Sequence, residues 1–268
     1  MIELLHLSFM QNALLASIMI AILCPLIGIF LVLKRYSMVG DTLSHASFAG
    51  VAIGIFIGVN PMITTFIFVS ICAVLIEFLR DSFKQYSDLI LPIVLTFSVG
   101  IAITLTTSGR ASGNIESFLF GSILTVEKSD LISIFIISVA SLVIITLFYN
   151  KFLYTTFDEI GARVSGINTK FLNYLFSLLV GFAISISIRI IGILVVSSLL
   201  AVPVAAAMQF KKGFKKTLIL SIIFSFIDIL VGLFSSYYLN CAPGGTVALT
   251  SVFTLIIAIA AQKIYQYN

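Results

Sequence analysis

The sequence predicts an all-α fold, a polytopic bundle of about nine membrane-spanning helices, and two observations predict it. Of 268 residues, 60% are hydrophobic and 10% charged, at a mean hydropathy of +1.20, whereas soluble domains carry about a quarter charged residues. The apolar residues also fall in blocks of about 17 to 25, separated by charged or turn-rich breaks, which is the helix length that crosses a hydrocarbon core. A transmembrane β-barrel would need segments of about ten residues with alternating polarity. Runs such as LIIAIAA and ISIFIISVA have no polar alternate face.

In chain order the spans are predicted at roughly 11–33, 38–58, 61–79, 89–107, 130–149, 171–188, 190–209, 217–238 and 247–262, with eight the alternative count. The first block is long, lacks a basic leader and is followed by many similar ones, so it is a retained span and not a secretory signal. Residues 171–210 hold a single charge, Arg189; as one helix they would measure about 60 Å, twice a membrane, so two spans turning near Arg189 fit better. The stretch SGRASGNIESFLFGSILTV is too polar at its start and too short in its apolar part to cross. It is expected to dip back as a partial helix packed against protein. Residues 1–268 thus form a single transmembrane domain, with no visible repeat or linker.

The net charge of +4 does not mark a nucleic-acid binder, because the basic residues are scattered over short loops. They set orientation instead. With the 150–170 connection inside, Lys34, Arg35, Arg80, Lys84, Lys151, Arg163, Lys170, Lys211, Lys212, Lys215, Lys216 and Lys263 are cytoplasmic, and only Arg110, Lys128 and Arg189 lie near the outer side. The C-terminus is then cytoplasmic and the N-terminus outside, with the stretch from Gly109 to Lys128 and the NCAPGG turn external; an eight-span chain would flip only the N-terminus. Cys24, Cys72 and Cys241 have no paired metal spacing and imply no disulfide framework.

The segment GDTLSHASFAGVAIGIFIG opens the second span with Asp41 and His45 four residues apart, which stacks them on one helix face. An aspartate at membrane depth costs about 2.5 to 3.5 kcal/mol and needs a partner. Carboxylate oxygen and neutral imidazole nitrogen are good ligands for zinc and for manganese. The alternative is that Asp41 caps the helix near Ser44 and His45 is a satisfied interior residue. The small residues of this segment, Ser44, Ala46, Ser47, Ala49, Gly50 and Gly54 among them, suit a closely packed central helix.

Asp228, mid-way along the eighth span, is the other intramembrane ionisable group and a pathway candidate, with Ser225 a neighbour on its face; a hydrogen-bonded acid between helices is its alternative. The connection KFLYTTFDEIGARVSGIN is long enough for a short helix from about Thr156 to Ser165, capped by Thr156, with Asp158 and Glu159 at its positive end and Gly166 as a left-handed stop. It either docks a soluble partner or is a solvated surface helix. Pro203 bends the seventh span near its cytoplasmic end. Glu77 and Arg80 are expected to snorkel from an inner helix end, and His6 is assigned nothing. No G-x-x-x-x-G-K-[ST], dinucleotide fingerprint, H-E-x-x-H or G-x-S-x-G motif occurs, so any ATP drive must come from another subunit.

Four segments in order, FLVLKRYSMVGDTLSHASFAGVAIG, SFLFGSILTV, FDEIGARVSGI and IIGILVVSSLLAVPVAAA, together resemble the membrane permeases of the zinc/manganese/iron ABC importers, a family related in fold to the cobalamin and siderophore importers. The resemblance implies a bacterial plasma-membrane importer with two permease copies, two ATP-binding subunits and an extracytoplasmic metal-binding protein. No cofactor is implied beyond the transported Zn2+ or Mn2+. It carries the metal-path aspartate and histidine onto Asp41 and His45, and the ATPase-docking loop onto Phe157 to Gly166, including Asp158, Glu159, Gly161 and Arg163. One departure concerns the fourth span, where zinc-type members have a histidine and this chain offers Thr96 and Ser98, so Ser44 and Thr96 join Asp228 as pathway candidates. Zinc is the first expectation and manganese the second. The competing functions are a permease for a larger chelate such as haem or a siderophore, and an ATP-independent channel or proton-coupled carrier that titrates Asp41 and Asp228.

Overall fold

A computed structural model describes residues 8–108, 115–122 and 128–267, which are helical with short connections and, among the described residues, contain no strand. The helices are α1 (Ser8–Leu33), α2 (Ser37–Ile57), α3 (Pro61–Ser82), α4 (Ser87–Thr107), α5 (Ile115–Phe120), α6 (Lys128–Leu147), α7 (Tyr149–Phe157), α8 (Glu159–Val164), α9 (Thr169–Ile191), α10 (Ile193–Met208), α11 (Phe214–Leu239) and α12 (Pro243–Tyr267). Eight of them, namely α1 to α4, α6, α9, α11 and α12, are long and apolar enough to cross a membrane. Every predicted span coincides with a helix, but α10 has 16 residues, about 24 Å against a hydrocarbon core of about 30 Å. Among the described residues there are thus eight full-length spans and one shorter apolar helix, α10, which still returns the chain from the Arg189 end to the Lys211 end.

Gly192 is what shortens α10. It ends α9 and opens α10 with φ 87°, a conformation glycine adopts without steric cost, and a Cβ there would stand 2.5 Å from the Gly121 nitrogen. The chain thus turns at Gly192, a little beyond Arg189, because α5 occupies the adjacent space. The expected partial helix is this α5, packed on α2, α9, α10 and α12 and tied down where the Ser122 N–H donates to the Arg189 carbonyl at 3.2 Å. Residues 109–114 and 123–127 of that stretch, with Arg110, and His6 lie outside the described residues.

Side chains at the helix starts explain several boundaries. Asn60 accepts the Met62 N–H at 2.9 Å ahead of Pro61, and Asn168 accepts the Phe171 N–H at 3.1 Å, each satisfying an amide the helix leaves bare. Pro243 opens α12, so the NCAPGG turn is shorter than predicted; proline fits a first turn, where its missing N–H costs nothing.

The helices α1, α9 and α10 form the centre, and α2 packs between α3, α4 and α10. At one end of the bundle Arg80, Arg163 and Lys170 line one cavity, and Lys211 and Lys212 line another beside Phe157. That end is knit by Phe30 of α1, whose ring centroid lies 5.9 Å from Phe152 of α7, 6.1 Å from Phe176 of α9 and 5.3 Å from Phe214 of α11. Asn60, Asp130 and Arg189 share a cavity at the opposite end.

Candidate functional site

Tyr36 is the N-cap of α2 and makes no side-chain cap bond. Asp41 therefore lies in the second turn, and the capping alternative is not realised. One face of α2 is packed: Val39, Leu43, Ala46, Gly50 and Gly54 are buried, and a Cβ on Gly50 would lie 2.5 Å from the Thr65 Cα of α3. That close approach is what small residues permit. Another face carries Met38, Asp41, His45 and Phe48 at helical spacing, and its own chain leaves it partly uncovered.

The His45 and Asp41 side chains are 32% and 40% exposed, with Nε2 and Oδ1 3.9 Å apart. This exceeds a hydrogen bond, so neither group spends its lone pair on the other. Two donors about 2.1 Å from one tetrahedral ion stand about 3.4 Å apart, a separation the pair reaches by a small side-chain rotation. Among the described residues no group of three or more His, Cys, Asp and Glu could hold a metal.

The other pathway candidates are not brought to it. Ser44 is buried and its hydroxyl donates to the Gly40 carbonyl at 2.8 Å. Thr96 is exposed on α4, whose packed residues Ser98 and Ala102 are fully buried, with Ala102 against Ala49 and Ala52 of α2. Of the two hydroxyls in that segment, Ser98 is the one on the packed face. Asp228 lies on α11, which does not touch α2. It is fully buried; the Thr254 hydroxyl donates to its Oδ1, and the Thr250 hydroxyl donates to its backbone carbonyl at 2.9 Å. Thr246, Thr250 and Thr254 thus recur every fourth residue along α12 and fasten it to α11. The second carboxyl oxygen of Asp228 and the Ser225 hydroxyl are buried without a partner among the described residues.

At the basic end, α8 departs from its predicted start. Asp158, not Thr156, is the cap, accepting the Gly161 N–H at 2.8 Å, while the Thr156 hydroxyl donates to the Phe152 carbonyl within α7. Gly166 stops the helix with φ 82° as expected. Arg163 and Glu159 pair at 3.6 Å. Ile160 and Val164, one turn apart on α8, are 79% and 84% exposed, and Phe157 at the end of α7 is 66% exposed, apolar exposure of the kind that marks a partner surface.

Glu77 and Arg80 correct a second expectation. Glu77 is buried, accepts the Ser177 hydroxyl at 2.7 Å and faces Arg80 at 3.7 Å; the guanidinium lies 3.6 Å from the Tyr36 ring centroid. They do not snorkel, because α9 and the α1–α2 connection close over them. Ser177 and Tyr36 are a hundred and forty-odd residues apart, so sequence spacing carried no signal of this cluster.

The ABC 3 transport family matches residues 6–262. The chain belongs to that family. It is 48% identical over 260 residues to a "probable metal transport system membrane protein" of Treponema pallidum, covering 97% of this chain and 98% of the relative. The manganese transport system membrane protein MntC of Listeria monocytogenes is 31% identical, covering 95% and 91%, and the high-affinity zinc uptake membrane protein ZnuB of Buchnera aphidicola is 30% identical, covering 94% and 97%. Among solved structures, PsaBC from Streptococcus pneumoniae in complex with Fab superposes with a TM-score of 0.85 at 28% identity, covering 96% of this chain and 93% of that one. The chain is thus a multi-pass membrane permease of the ABC transporter type, in which ATP hydrolysis resides in a separate subunit.

Proposed function

We propose that the chain is the permease subunit of an ATP-driven bacterial importer for a divalent first-row metal ion, zinc or manganese, which passes Asp41 and His45 of α2. The observation that carries this is a carboxylate and an imidazole one turn apart, unspent on each other, on a face its own chain leaves open. Relatives at similar identity are named for manganese and for zinc, and both ions accept this donor pair. A larger chelate would need a wide cavity without such donors at its wall.

Two donors leave a tetrahedral ion half coordinated, whereas two copies about a two-fold axis present two carboxylates and two imidazoles. The second copy completes the site across the uncovered face of α2. At the basic end, turned to the cytoplasm by the positive-inside rule, the apolar ridge of α8 seats the ATP-binding subunit, and an extracytoplasmic metal-binding protein delivers the ion at the other end. The multi-pass chain sits in the bacterial plasma membrane with its C-terminus inside and its N-terminus outside.

The test is metal uptake by liposomes holding the permease, its ATP-binding subunit and the delivery protein, with zinc, manganese and iron in competition. ATP-dependent accumulation of zinc or manganese that is lost in Asp41→Ala and His45→Ala is expected. Equal uptake by both variants, or uptake without ATP, would sink the reading.

A further inference from the structure

The helix that carries the metal donors and the helix that would seat the ATPase do not touch: α8 packs only on α7 and α9. What lies between them is the three-residue connection from α1 to α2, formed by Lys34, Arg35 and Tyr36. This hinge is tightly wound, with Arg35 at φ 59° and the Tyr36 N–H donating to the Leu31 carbonyl at 2.8 Å. It is gripped from two sides. Tyr36 is held by Arg80 of α3, as described above. On the other side the Lys34 ammonium donates to Asn173 Oδ1 of α9 at 2.9 Å, and Asn173 Nδ2 donates to Glu159 Oε1 of α8 at 3.2 Å.

We propose that Lys34 and Asn173 are positioning residues that couple the docking helix to the metal site, the chain Lys34–Asn173–Glu159 being the strut through which α8 sets the first turn of α2. The inference rests on the reading of α8 as the ATPase seat and of Asp41 and His45 as metal donors. An amide in the middle fits the role, because its carbonyl meets the cation and its N–H meets the carboxylate, so the order of groups has one direction. Withdrawal of Glu159 leaves a half-buried amide donor bare and removes the stronger of the two carboxylate influences on a desolvated ammonium. Both effects make the intermediate arrangements costly, which favours two discrete positions over a graded slide.

The ammonium is itself titratable in the useful range. Burial lowers the Lys34 pKa from 10.5 to about 8, opposed by Glu159 and Glu77 and assisted by Arg80. The cavity lined by Glu159, Glu77, Arg80 and Asn173 is also lined by Arg163 of α8, Asp81 of α3, Tyr36, and Lys170 and Tyr174 of α9; the titratable side chains of α7, Tyr149, Lys151 and Tyr154, and of the start of α11, Lys215 and Lys216, do not line it. None of this second set is among the charges that act on Lys34. As pH rises through about 8 the ammonium loses its proton and the strut its charge. The sign for folding is the opposite one: a lysine depressed in the folded state binds fewer protons there than when unfolded, so the folded state gains stability between about pH 8 and 10.5. Loss of coupling over that range is therefore not unfolding caused by Lys34.

The experiment uses the complete complex in liposomes with Lys34→Met, Lys34→Arg and Asn173→Leu, and reads complex recovery, ATP hydrolysis and metal ions accumulated per ATP. The strut predicts full recovery and ATP hydrolysis within about twofold, with accumulation per ATP about tenfold lower in Lys34→Met and Asn173→Leu and within about threefold of the parent in Lys34→Arg. It also predicts that accumulation per ATP falls from pH 7 to 9 in the parent and stays level in Lys34→Arg, since arginine keeps its proton. Should Lys34→Met fail to fold, Asn173→Leu and the two pH profiles decide. Unchanged accumulation per ATP in Asn173→Leu, or parallel pH profiles for parent and Lys34→Arg, overturns the strut. Lost complex recovery with a folded Lys34→Met permease also overturns it, because Lys34 would then belong to the seat. The docking reading fails separately, if alteration of the exposed α8 ridge leaves recovery intact.

Discussion

Asp41 and Asp228 are both aspartates within apolar spanning helices, yet the bundle surrounds them in opposite ways. Asp41 keeps 40% of its side chain exposed beside a histidine that is not bonded to it. Asp228 is fully buried, and three threonines of α12 close the helix pair around it. An acid left open on a helix whose opposite face is tightly packed is a surface kept for something outside the chain. An acid sealed between two helices that do not reach α2 is a fastening of α11 to α12. Position within a spanning helix therefore does not fix the environment of an acid; coverage by neighbouring helices does. The ridge of α8 belongs with the open class, since large apolar side chains exposed in water cost free energy unless a partner covers them.

The sharpest break of this comparison is at the open pair. Asp41→Ala and His45→Ala are expected to lower metal uptake on the order of a hundredfold, as loss of one of two donors does to an ion already short of ligands, while complex recovery is unchanged. Uptake also falls on acidification, because a protonated imidazole has no lone pair for the ion; a proteoliposome pH series reads it. Next comes the ridge: Ile160→Ser with Val164→Ser should weaken binding of the ATP-binding subunit by about tenfold or more, read by co-purification, since two largely exposed aliphatic anchors would no longer be buried by the partner. Inverting charge on the same helix, Glu159→Lys with Arg163→Glu, should weaken it by about threefold, the smaller scale of exposed ion pairs. The smallest effect belongs to the sealed acid. Asp228→Asn keeps an oxygen for the Thr254 hydroxyl and is expected to leave uptake within about twofold of the parent. A loss as large as that of Asp41→Ala would erase the distinction between open and sealed acids and return Asp228 to the path.

Several residues show where sequence reading stopped. The separation of Asp41 and His45 was legible because helical periodicity alone stacks positions four apart. Gly166 and the acidic start of α8 were legible for the same local reason, but the cap was misassigned to Thr156, since Thr156 and Asp158 are both good caps and only the direction of α7 chooses between them. Glu77 and Arg80 were misread as snorkelling because their partners, Ser177 and Tyr36, come from distant segments. Thr96 and Ser98 are two residues apart, hence about 200° apart around α4, and nothing in their identities says which one faces α2.

By itself the sequence determined a helical membrane bundle, its span positions, the inside-outside bias of its loops and the stacking of two metal-type donors, all of which follow from hydropathy, charge and a 3.6-residue period acting over short distances. The packing of the helices was needed to show that α10 is shorter than the other spans, that Asp228 is sealed while Asp41 is open, and that Lys34 reaches Glu159 through Asn173. The physical reason is that exposure and long-range hydrogen bonds depend on which helix faces are covered. Coverage is set by close packing among segments far apart in the chain, such as Phe30 and Phe214, and no local pattern encodes it.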